Sequence, residues 1–211
     1  MPLQNRVDPW GKLCAVAARG TLTGNRGIIH NQEQQIVAQW RTKAWITCRL
    51  AWKGWWRPVM SRRSWTELFF LDEATAFAAG HRPCAICCRE RFTEFKAAWL
   101  AANPAVISSA TPRVTEIDAV LHAERTRKGD KKITYEEELR ALADGTMIET
   151  NAGAYLIWRQ QLLKWSFDGY TSGDAPRLSA RRVRVLTPAS IARTFHSGFR
   201  PDVHESVRVV S

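Results

Sequence analysis

Residues 66–88, TELFFLDEATAFAAGHRPCAICC, contain three of the five cysteines in this 211-residue chain. The apolar and aromatic residues of TELFFL (66–71) are typical of a β-strand. Asp72 is a good N-cap for a short Ala-rich helix, and Gly80 is a good residue to end that helix. Pro83 then prevents the helix from continuing. The stretch therefore predicts a strand, a short helix and a turn that contains the cysteines.

A second helix is predicted over about residues 86–101. Its apolar positions are separated by steps of four, three and four residues, and they describe one buried stripe made of Cys88, Phe92, Phe95 and Trp99. Cys87 falls outside this stripe, beside polar positions of the same helix. We therefore predict that Cys88 belongs to the core, whereas Cys84 and Cys87 are available for chemistry.

Cys84 and Cys87 have the C-x-x-C spacing with which a turn before a helix supplies two ligands to a structural zinc ion. Backbone N–H groups at the start of the helix favour the thiolate, which is the form that binds metal. A redox pair is the alternative, although such a pair normally follows a strand of a thioredoxin-like unit, a context missing here. Further ligands have to come from Cys48, Cys14 or the five histidines, and His81 is a reserve ligand beside the turn. Cys48 lies on the apolar face of a predicted strand, so a buried core cysteine is an equal alternative for it.

The stretch TELFFLDEATAFAAGHRPCAIC resembles the second half of the zinc-binding module of the Ada DNA-repair protein family, and the resemblance covers about residues 66–88. In that family a strand, a short Ala-rich helix and an Arg-Pro-Cys-x-x-Cys turn provide the last two zinc ligands. The resemblance implies that Cys84 and Cys87 bind zinc within an Ada-like module. The chain as a whole also resembles a group of bacterial proteins of unknown function.

The upstream half of the module departs from the Ada pattern, because Cys48 stands where that family has C-x-x-x-C. A looser resemblance of GNRGIIH (24–30) to related modules beside some bacterial nucleases implies that His30 is the fourth ligand. In the Ada family one zinc thiolate accepts a methyl group from damaged DNA phosphate. That reaction needs four cysteine ligands, and this chain lacks the Pro-Cys-His-Arg stretch of the base-repair domain. We therefore do not expect methyl transfer.

The chain is basic, with 31 Lys and Arg residues against 20 Asp and Glu residues and a formal net charge of +11. The excess is uneven: residues 1–100 contain 15 basic and 7 acidic side chains, whereas residues 116–149 contain 6 and 9. This distribution predicts a polyanionic partner, most simply nucleic acid. Of the two nucleic acids, we expect DNA rather than RNA. The alternative is a protein that is basic for solubility alone.

Residues 43–60, KAWITCRLAWKGWWRPVM, predict two strands around a Lys-Gly turn. Cationic and tryptophan side chains alternate in this hairpin and just after it. Cations neutralise phosphate, and indole rings stack on unpaired bases for about 1–3 kcal/mol each. The alternative is a hairpin whose tryptophans fill the core while its arginines reach solvent at the rim. The predicted nucleic-acid-binding residues are Arg49, Trp52, Lys53, Trp55, Trp56, Arg57, Arg62 and Arg63.

The segment EIDAVLHAER (116–125) is a candidate catalytic site. If it is helical, Asp118, His122 and Arg125 lie near one another, at spacings of four and three residues. A histidine beside a carboxylate can act as a general base, and an arginine can hold a phosphate. The alternative is an ordinary solvated helix face with an ion pair. Three functional hypotheses follow: nucleic-acid binding with a structural zinc, an enzyme that acts on nucleic acid, and a protein-interaction module.

We predict an α+β protein in which a small zinc-stabilised β-hairpin/helix module precedes a mixed, mostly β C-terminal half. The predicted segments are an N-terminal segment at 1–20, the zinc module at 21–100, a linker at 101–112 and a mixed α/β region at 113–211. In the last region we predict helices near 113–127 and 134–143, strands near 147–150, 154–158, 162–165 and 181–186, and a terminal helix after Pro188. No stretch approaches the roughly 18 apolar residues of a membrane helix, and the first residues contain no apolar signal segment, so we expect a cytoplasmic protein.

Overall fold

The described part of the chain folds into an α+β structure with two six-stranded sheets and one two-stranded sheet, and this confirms the predicted fold class. The structure is a computed structural model, and it describes residues 1–54, 56–107, 109, 111–127, 131–172 and 182–210. The first large sheet is built by strands that precede Cys84, and the second by strands that follow Thr134.

Six short strands form the first sheet. They are β1 (Arg6–Val7), β2 (Leu13–Cys14), β3 (Leu22–Asn25), β4 (Ile46–Arg49), β5 (Leu68–Phe70) and β6 (Arg82–Pro83), in the spatial order β2-β1-β5-β3-β4-β6. Strand β4 is antiparallel to β3 and parallel to β6, and Thr47 lies opposite Pro83. The residues that follow these two are Cys48 and Cys84, so the strand pairing brings two cysteines together.

The predicted hairpin over residues 43–60 is wrong in its second half. Strand β4 matches the first predicted strand, but both of its edges are occupied, by β3 on one side and by β6 on the other. A second hairpin strand therefore has no edge with which to pair. The chain leaves the sheet after Arg49 and rejoins it at Leu68, and the described residues between them form no strand.

Helix α1 (Glu73–Ala78) follows β5, as the sequence predicts. Asp72 caps it, because its Oδ1 accepts hydrogen bonds from the Thr75 backbone N–H at 2.8 Å and from the Thr75 hydroxyl at 2.7 Å. All residues of α1 are buried, since its side chains pack against both large sheets. Gly80 then adopts a φ of +85°, and a Cβ at this position would lie 2.5 Å from Cδ of Arg125. Glycine is therefore required here for both its conformation and its size.

Two longer helices follow. Helix α2 (Arg89–Ala102) begins three residues later than predicted, and Cys88 is its N-cap residue. Phe95 and Trp99 of the predicted apolar stripe are fully buried. Helix α3 (Val114–Arg125) agrees with the prediction for residues 113–127.

After α3 the chain is mostly β. A two-stranded ribbon of β7 (Thr126–Arg127) and β8 (Lys131–Lys132) leads to the second large sheet. That sheet contains β9 (Tyr135–Glu138), β10 (Met147–Thr150), β11 (Gly153–Trp158), β12 (Gln161–Ser166), β13 (Gly169–Thr171) and β14 (Arg182–Val185), in the order β13-β12-β11-β10-β14-β9. Helices α4 (Ala189–His196) and α5 (Val207–Val210) follow. Among the described residues, no helix is long and apolar enough to span a bilayer.

The sequence predicts most of this second half. The strands predicted near 147–150, 154–158 and 162–165 are confirmed by β10, β11 and β12, and the helix predicted after Pro188 is confirmed by α4. The strand predicted at 181–186 is found as β14, although residue 181 lies outside the described residues. Strand β13 is an addition that the sequence did not predict.

The helix predicted near 134–143 is wrong, because these residues form β9 and a short 3-10 helix, Leu139–Ala141. The antiparallel pairing of β9 with β14 places Glu136 opposite Arg184 and Glu138 opposite Arg182. Cross-strand pairs of opposite charge stabilise a sheet, and here they outweigh the helix propensity of glutamate. The arginines of β14 consequently lie beside carboxylates.

Hydrophobic contacts join the two halves of the chain through α1. Ala74 and Ala78 pack into a cluster with Met147, Ala154, Leu156, Leu163 and Leu186 of the second half. On another side of the helix, Phe77 packs with Phe95, Trp99, Ile117, Leu121, Ile191, Phe195 and Phe199. The Tyr170 hydroxyl also donates a hydrogen bond to Oδ2 of the cap residue Asp72, at 2.9 Å. Helix α1 thus packs against the second sheet and against the other helices.

Candidate metal centre

Three cysteine side chains converge at the edge of the first sheet. Their sulfur atoms all lie within 4.8 Å of one another and could hold a metal ion; we call Cys48, Cys84 and Cys87 the metal centre. Cys48 lies in β4, Cys84 directly follows β6, and Cys87 lies in the turn before α2. The Cys84 backbone N–H donates a hydrogen bond to the Thr47 carbonyl at 2.9 Å, which fixes the first two cysteines side by side.

Hydrogen bonding among the cysteines shifts the pKa values of Cys48 and Cys84, and the shift at Cys84 favours cation binding. A hydrogen bond from the Cys48 thiol lowers the pKa of Cys84 to about 5, and backbone N–H groups of Cys87 and Ile86 act in the same direction against the effect of burial. The Ile86 N–H lies 3.4 Å from the Cys84 sulfur. The pKa of Cys48 is raised, because its proton is held by Cys84 and because the thiol is buried. The lowered pKa of Cys84 favours its thiolate, which is the form that binds metal.

Cys88 lies beside this centre. It is buried, as predicted, but its sulfur is 3.8 Å from the sulfur of Cys87. Burial, followed by the negative charge of Cys87, raises the pKa of Cys88 to about 11. The sequence argument assigned Cys88 to the core from helical phase, but α2 begins at Arg89, so the phase of the helix does not determine where the Cys88 side chain points. The C-x-x-C-C spacing was the signal that could have identified it.

The two histidines proposed as ligands lie apart from the grouped sulfur atoms. His30 is buried, and its Nδ1 lies 2.6 Å from the Thr66 hydroxyl. His81 is fully buried, and its Nε2 accepts a hydrogen bond from Nε of Arg26 at 3.2 Å. The structure thus brings together three of the four predicted ligands, and His30 is not among the ligand atoms that it groups.

Residues 49–65, which we call the tryptophan loop, begin directly after Cys48. Within the loop, Trp56 is 85% exposed and Trp65 is 42% exposed, so these indoles do not fill the core. The Arg57 guanidinium stacks on Trp65, with its carbon 3.7 Å from the ring centroid, and Lys53 lies over Trp52 at 5.1 Å. The remaining predicted cations of the loop, Arg49, Arg62 and Arg63, are exposed, and Trp55 lies outside the described residues.

The loop is anchored at its far end by Glu67. This carboxylate forms an ion pair with Arg57, and its Oε2 accepts a hydrogen bond from the Met60 backbone N–H at 2.6 Å. The Gln34 side chain adds a hydrogen bond to the Val59 carbonyl at 3.0 Å. The exposed cations and indoles are therefore carried by a loop that is tied to the sheet at both ends.

Two of the three candidate catalytic residues of α3, His122 and Arg125, contact each other, and the third, Asp118, pairs with Arg82. Both carboxylate oxygens of Asp118 accept hydrogen bonds from Arg82, at 2.7 and 2.8 Å, in a buried ion pair. Arg125 is buried, and its Nη2 lies 3.1 Å from Nδ1 of His122. The His122 ring also packs edge-on against Trp40, with a centroid distance of 4.4 Å. Sequence reasoning missed Arg82 as the partner of Asp118, because the two residues are 36 positions apart.

Comparisons with protein-family models, with curated proteins and with solved structures find no match for this chain. The resemblance of residues 66–88 to the Ada module therefore stays a prediction.

Proposed function

We propose that this is a zinc-binding protein that binds nucleic acid through the tryptophan loop, and that the zinc is structural. The observation that carries the proposal is the cluster of three cysteine sulfurs at the point where the tryptophan loop leaves the sheet. Cys48 is the last residue but one of β4, and the loop starts at the next residue. A metal bound there would hold the start of the loop, the turn after β6 and the start of α2 together.

The donor set supports zinc. Thiolate ligands favour soft ions, and a structural zinc site takes four nitrogen or sulfur ligands in a tetrahedron. Zinc–sulfur bonds of about 2.3 Å give sulfur–sulfur edges of about 3.8 Å, and the three grouped sulfurs lie within 4.8 Å of one another. The 3.8 Å separation of the Cys87 and Cys88 sulfurs makes Cys88 our candidate for the fourth ligand.

Nucleic acid is the partner that the tryptophan loop suits best. Its exposed cations can neutralise phosphates, and an exposed indole such as Trp56 offers a face on which a base can stack. Arg62 and Arg63 form no ion pair within the described part of the chain, so their charges are available to a partner. DNA is the form we expect, in line with the resemblance to a DNA-repair module.

An enzyme that acts through Asp118, His122 and Arg125 is a weaker hypothesis. Both oxygens of Asp118 accept hydrogen bonds from Arg82, so this carboxylate serves a buried ion pair of the fold. A protein-interaction module remains the third hypothesis, and the binding experiment below separates it from nucleic-acid binding.

Metal analysis of the purified protein tests the zinc centre. We expect about one zinc per chain in the wild type and in the control Cys14→Ser, because Cys14 lies in β2 and outside the metal centre. Cys87→Ser should lose the metal. A folded wild type that contains no zinc and takes up none would overturn this half of the proposal.

Titration of labelled single- and double-stranded DNA and RNA across a salt series tests the second half. We expect Arg62→Gln/Arg63→Gln to make the slope of log K against log salt concentration less steep by about 1 per charge. Trp56→Ala should weaken binding to single strands by about 1–3 kcal/mol. The matched control is Arg159→Gln/Lys164→Gln, which removes two exposed cations, one from the turn between β11 and β12 and one from β12. Absent binding, or equal loss in the control, would favour a protein partner for the tryptophan loop.

A further inference from the structure

Three cationic side chains converge around Trp45, away from the metal centre and the tryptophan loop. Arg26 is 1% exposed and Arg125 is 2% exposed. Each guanidinium carbon lies 3.9 Å from the centroid of the Trp45 ring. The partly exposed Lys132 lines the same small cavity as these two arginines. We call Arg26, Arg125 and Lys132 the cation cluster.

The cation cluster is held by neutral groups. Its hydrogen-bond acceptors are the carbonyl oxygens of Gly11, Lys43, Ala78 and Gly80, together with ring nitrogens of His81 and His122. None of its three cations forms an ion pair within the described residues. The carboxylate of Asp118, which acts on Arg125 through its charge, is already occupied by Arg82.

The concentration of positive charge is energetically unfavourable. Burial, followed by repulsion from Arg26 and Arg125, lowers the pKa of Lys132 to about 7. Burial also lowers the pKa of Arg26 and of Arg125, with Arg26 adding repulsion on Arg125. A guanidinium nevertheless keeps its proton in a protein. Asp8 is the carboxylate whose charge favours both Arg26 and Lys132, and it is itself buried. The cluster therefore holds more positive charge than the surrounding carboxylates neutralise, and an anion would stabilise it.

Two buried donors of the cluster have no acceptor in the described part of the chain. They are Nη2 of Arg26 and Nε of Arg125. A buried N–H group without an acceptor is destabilising, so a structural role for the arginines leaves these two groups unexplained. Charged donors of this kind match the oxygens of a phosphate.

The cluster borders a cavity of about 20 Å³ that is partly open to solvent. A cavity needs roughly 10–15 Å³ to hold one water, so one oxygen atom of a larger anion fits inside this cavity. Its lining includes the exposed Gln39 and the half-buried Trp10 and Trp40, which we call its mouth. The rest of the anion would lie between these side chains.

We propose that the cation cluster binds a phosphate group, with Arg26, Arg125 and Lys132 as its three cationic donors. A phosphate can place one oxygen in the cavity that the three donors border and carries up to two negative charges, whereas a carboxylate carries one. The phosphate belongs either to free phosphate or to a mononucleotide, whose base would meet the tryptophans at the mouth. The site uses no residue of the metal centre or of the tryptophan loop, and it stands independently of the proposed function.

Calorimetric titration and thermal unfolding at pH 7 test the site, with inorganic phosphate, sulfate and a nucleoside monophosphate each compared with chloride at equal ionic strength. We expect phosphate to bind and to raise the unfolding temperature above its value in chloride. Tighter binding of the nucleoside monophosphate would assign the phosphate to a nucleotide, and equal binding would assign it to free phosphate. If none of the three probes binds more strongly than chloride, the proposal is wrong.

Two pairs of variants locate the site. Lys132→Met should weaken phosphate binding by about tenfold, as for the loss of one charged contact, whereas its exposed neighbour Lys131→Met should not. Gln39→Glu adds a negative charge at the mouth and should weaken binding similarly, while Gln32→Glu serves as its exposed control. Position 39 is at the surface, so this pair remains decisive even if Lys132→Met fails to fold. Equal weakening in variant and control would show non-specific attraction and would overturn the site.

Discussion

The metal centre and the cation cluster lie near the two ends of the two-residue strand β6. They differ in charge and in the sequence separation of the residues that form them. His81, just before β6, accepts a hydrogen bond from Arg26 of the cation cluster, and Cys84, just after β6, belongs to the metal centre. The lowered pKa of Cys84 suits the metal centre to a cation, whereas the cation cluster holds excess positive charge and suits an anion. Arg82 lies between His81 and Cys84 in the sequence, and its charge is neutralised by Asp118.

The comparison shows how differently a binding site can be encoded. Two of the three metal-centre cysteines lie three positions apart, in a turn whose conformation is set by local residues. The cation cluster combines residues 26, 125 and 132, which no local spacing connects. A site that contains residues close in sequence can be recognised as a motif. A site made of charges distant in sequence can be recognised only from a structure, which shows that these charges lack counter-ions.

The largest effect is expected from removal of the metal. If the metal centre holds zinc as we propose, chelation should lower the free energy of unfolding of the wild type by about 4 kcal/mol, the stabilisation given by a ligand present at a thousand times its dissociation constant. Urea unfolding with and without chelator measures the difference. Cys84→Ser should reproduce the loss, and Cys14→Ser should respond to chelator as the wild type does. Equal stability of the zinc-bound and zinc-free forms would contradict a structural role for the metal.

The stability of the protein should depend on Asp118, which pairs with Arg82 between the two sites. We expect Asp118→Ala to lower the free energy of unfolding by about 3 kcal/mol, because it leaves the buried Arg82 charge uncompensated. The control is Glu94→Ala, which removes an exposed carboxylate from a pair with Arg91 and should cost less than about 1 kcal/mol. Chemical denaturation measures both variants. A loss as small as that of Glu94→Ala would mean that Arg82 is neutralised in another way.

The smallest effect is a pH dependence that should be specific to the cation cluster. The ordinary pKa of a lysine is 10.5, and in the folded protein that of Lys132 is lowered to about 7 by burial and by the charges of Arg26 and Arg125, against the opposing charge of Asp8. Between pH 7 and pH 10.5 Lys132 binds a proton in the unfolded chain that it has released in the folded protein. The free energy of unfolding should therefore rise as the pH increases from 7 to 9. The limit for one group is about 1.4 kcal/mol per pH unit.

We expect about 1 kcal/mol over this interval, because Lys132 is partly exposed and solvent screens its charge. Denaturation at several pH values should show the rise in the wild type and in Lys131→Met, and its loss in Lys132→Met. At pH 7 the Lys132→Met variant should be no less stable than the wild type, in contrast to every change at the metal centre. An unchanged slope in Lys132→Met would show that this ammonium is not held in an unfavourable environment.

The elements that the sequence predicted well are those with local determinants. The strand before Asp72, helix α1, helix α3 and the strands β10 to β12 follow from caps, turn residues and apolar patterns that lie within a few positions of one another. The errors have non-local causes. The second strand of the hairpin is missing because β6 takes the edge of β4, and a Glu-rich segment becomes β9 because arginines of β14 lie opposite it.

For the candidate metal centre, the amino-acid sequence alone was enough to single out Cys84 and Cys87, because a proline-bounded C-x-x-C turn is a local structure. The position of Cys48 depends on the parallel pairing of β4 with β6, and the sulfur of Cys88 lies beside the centre because α2 starts one residue later. The cation cluster was decided by tertiary structure alone. Burial and the distance between charges arise only when segments remote in sequence pack together, and these two quantities govern the energy of a charged group.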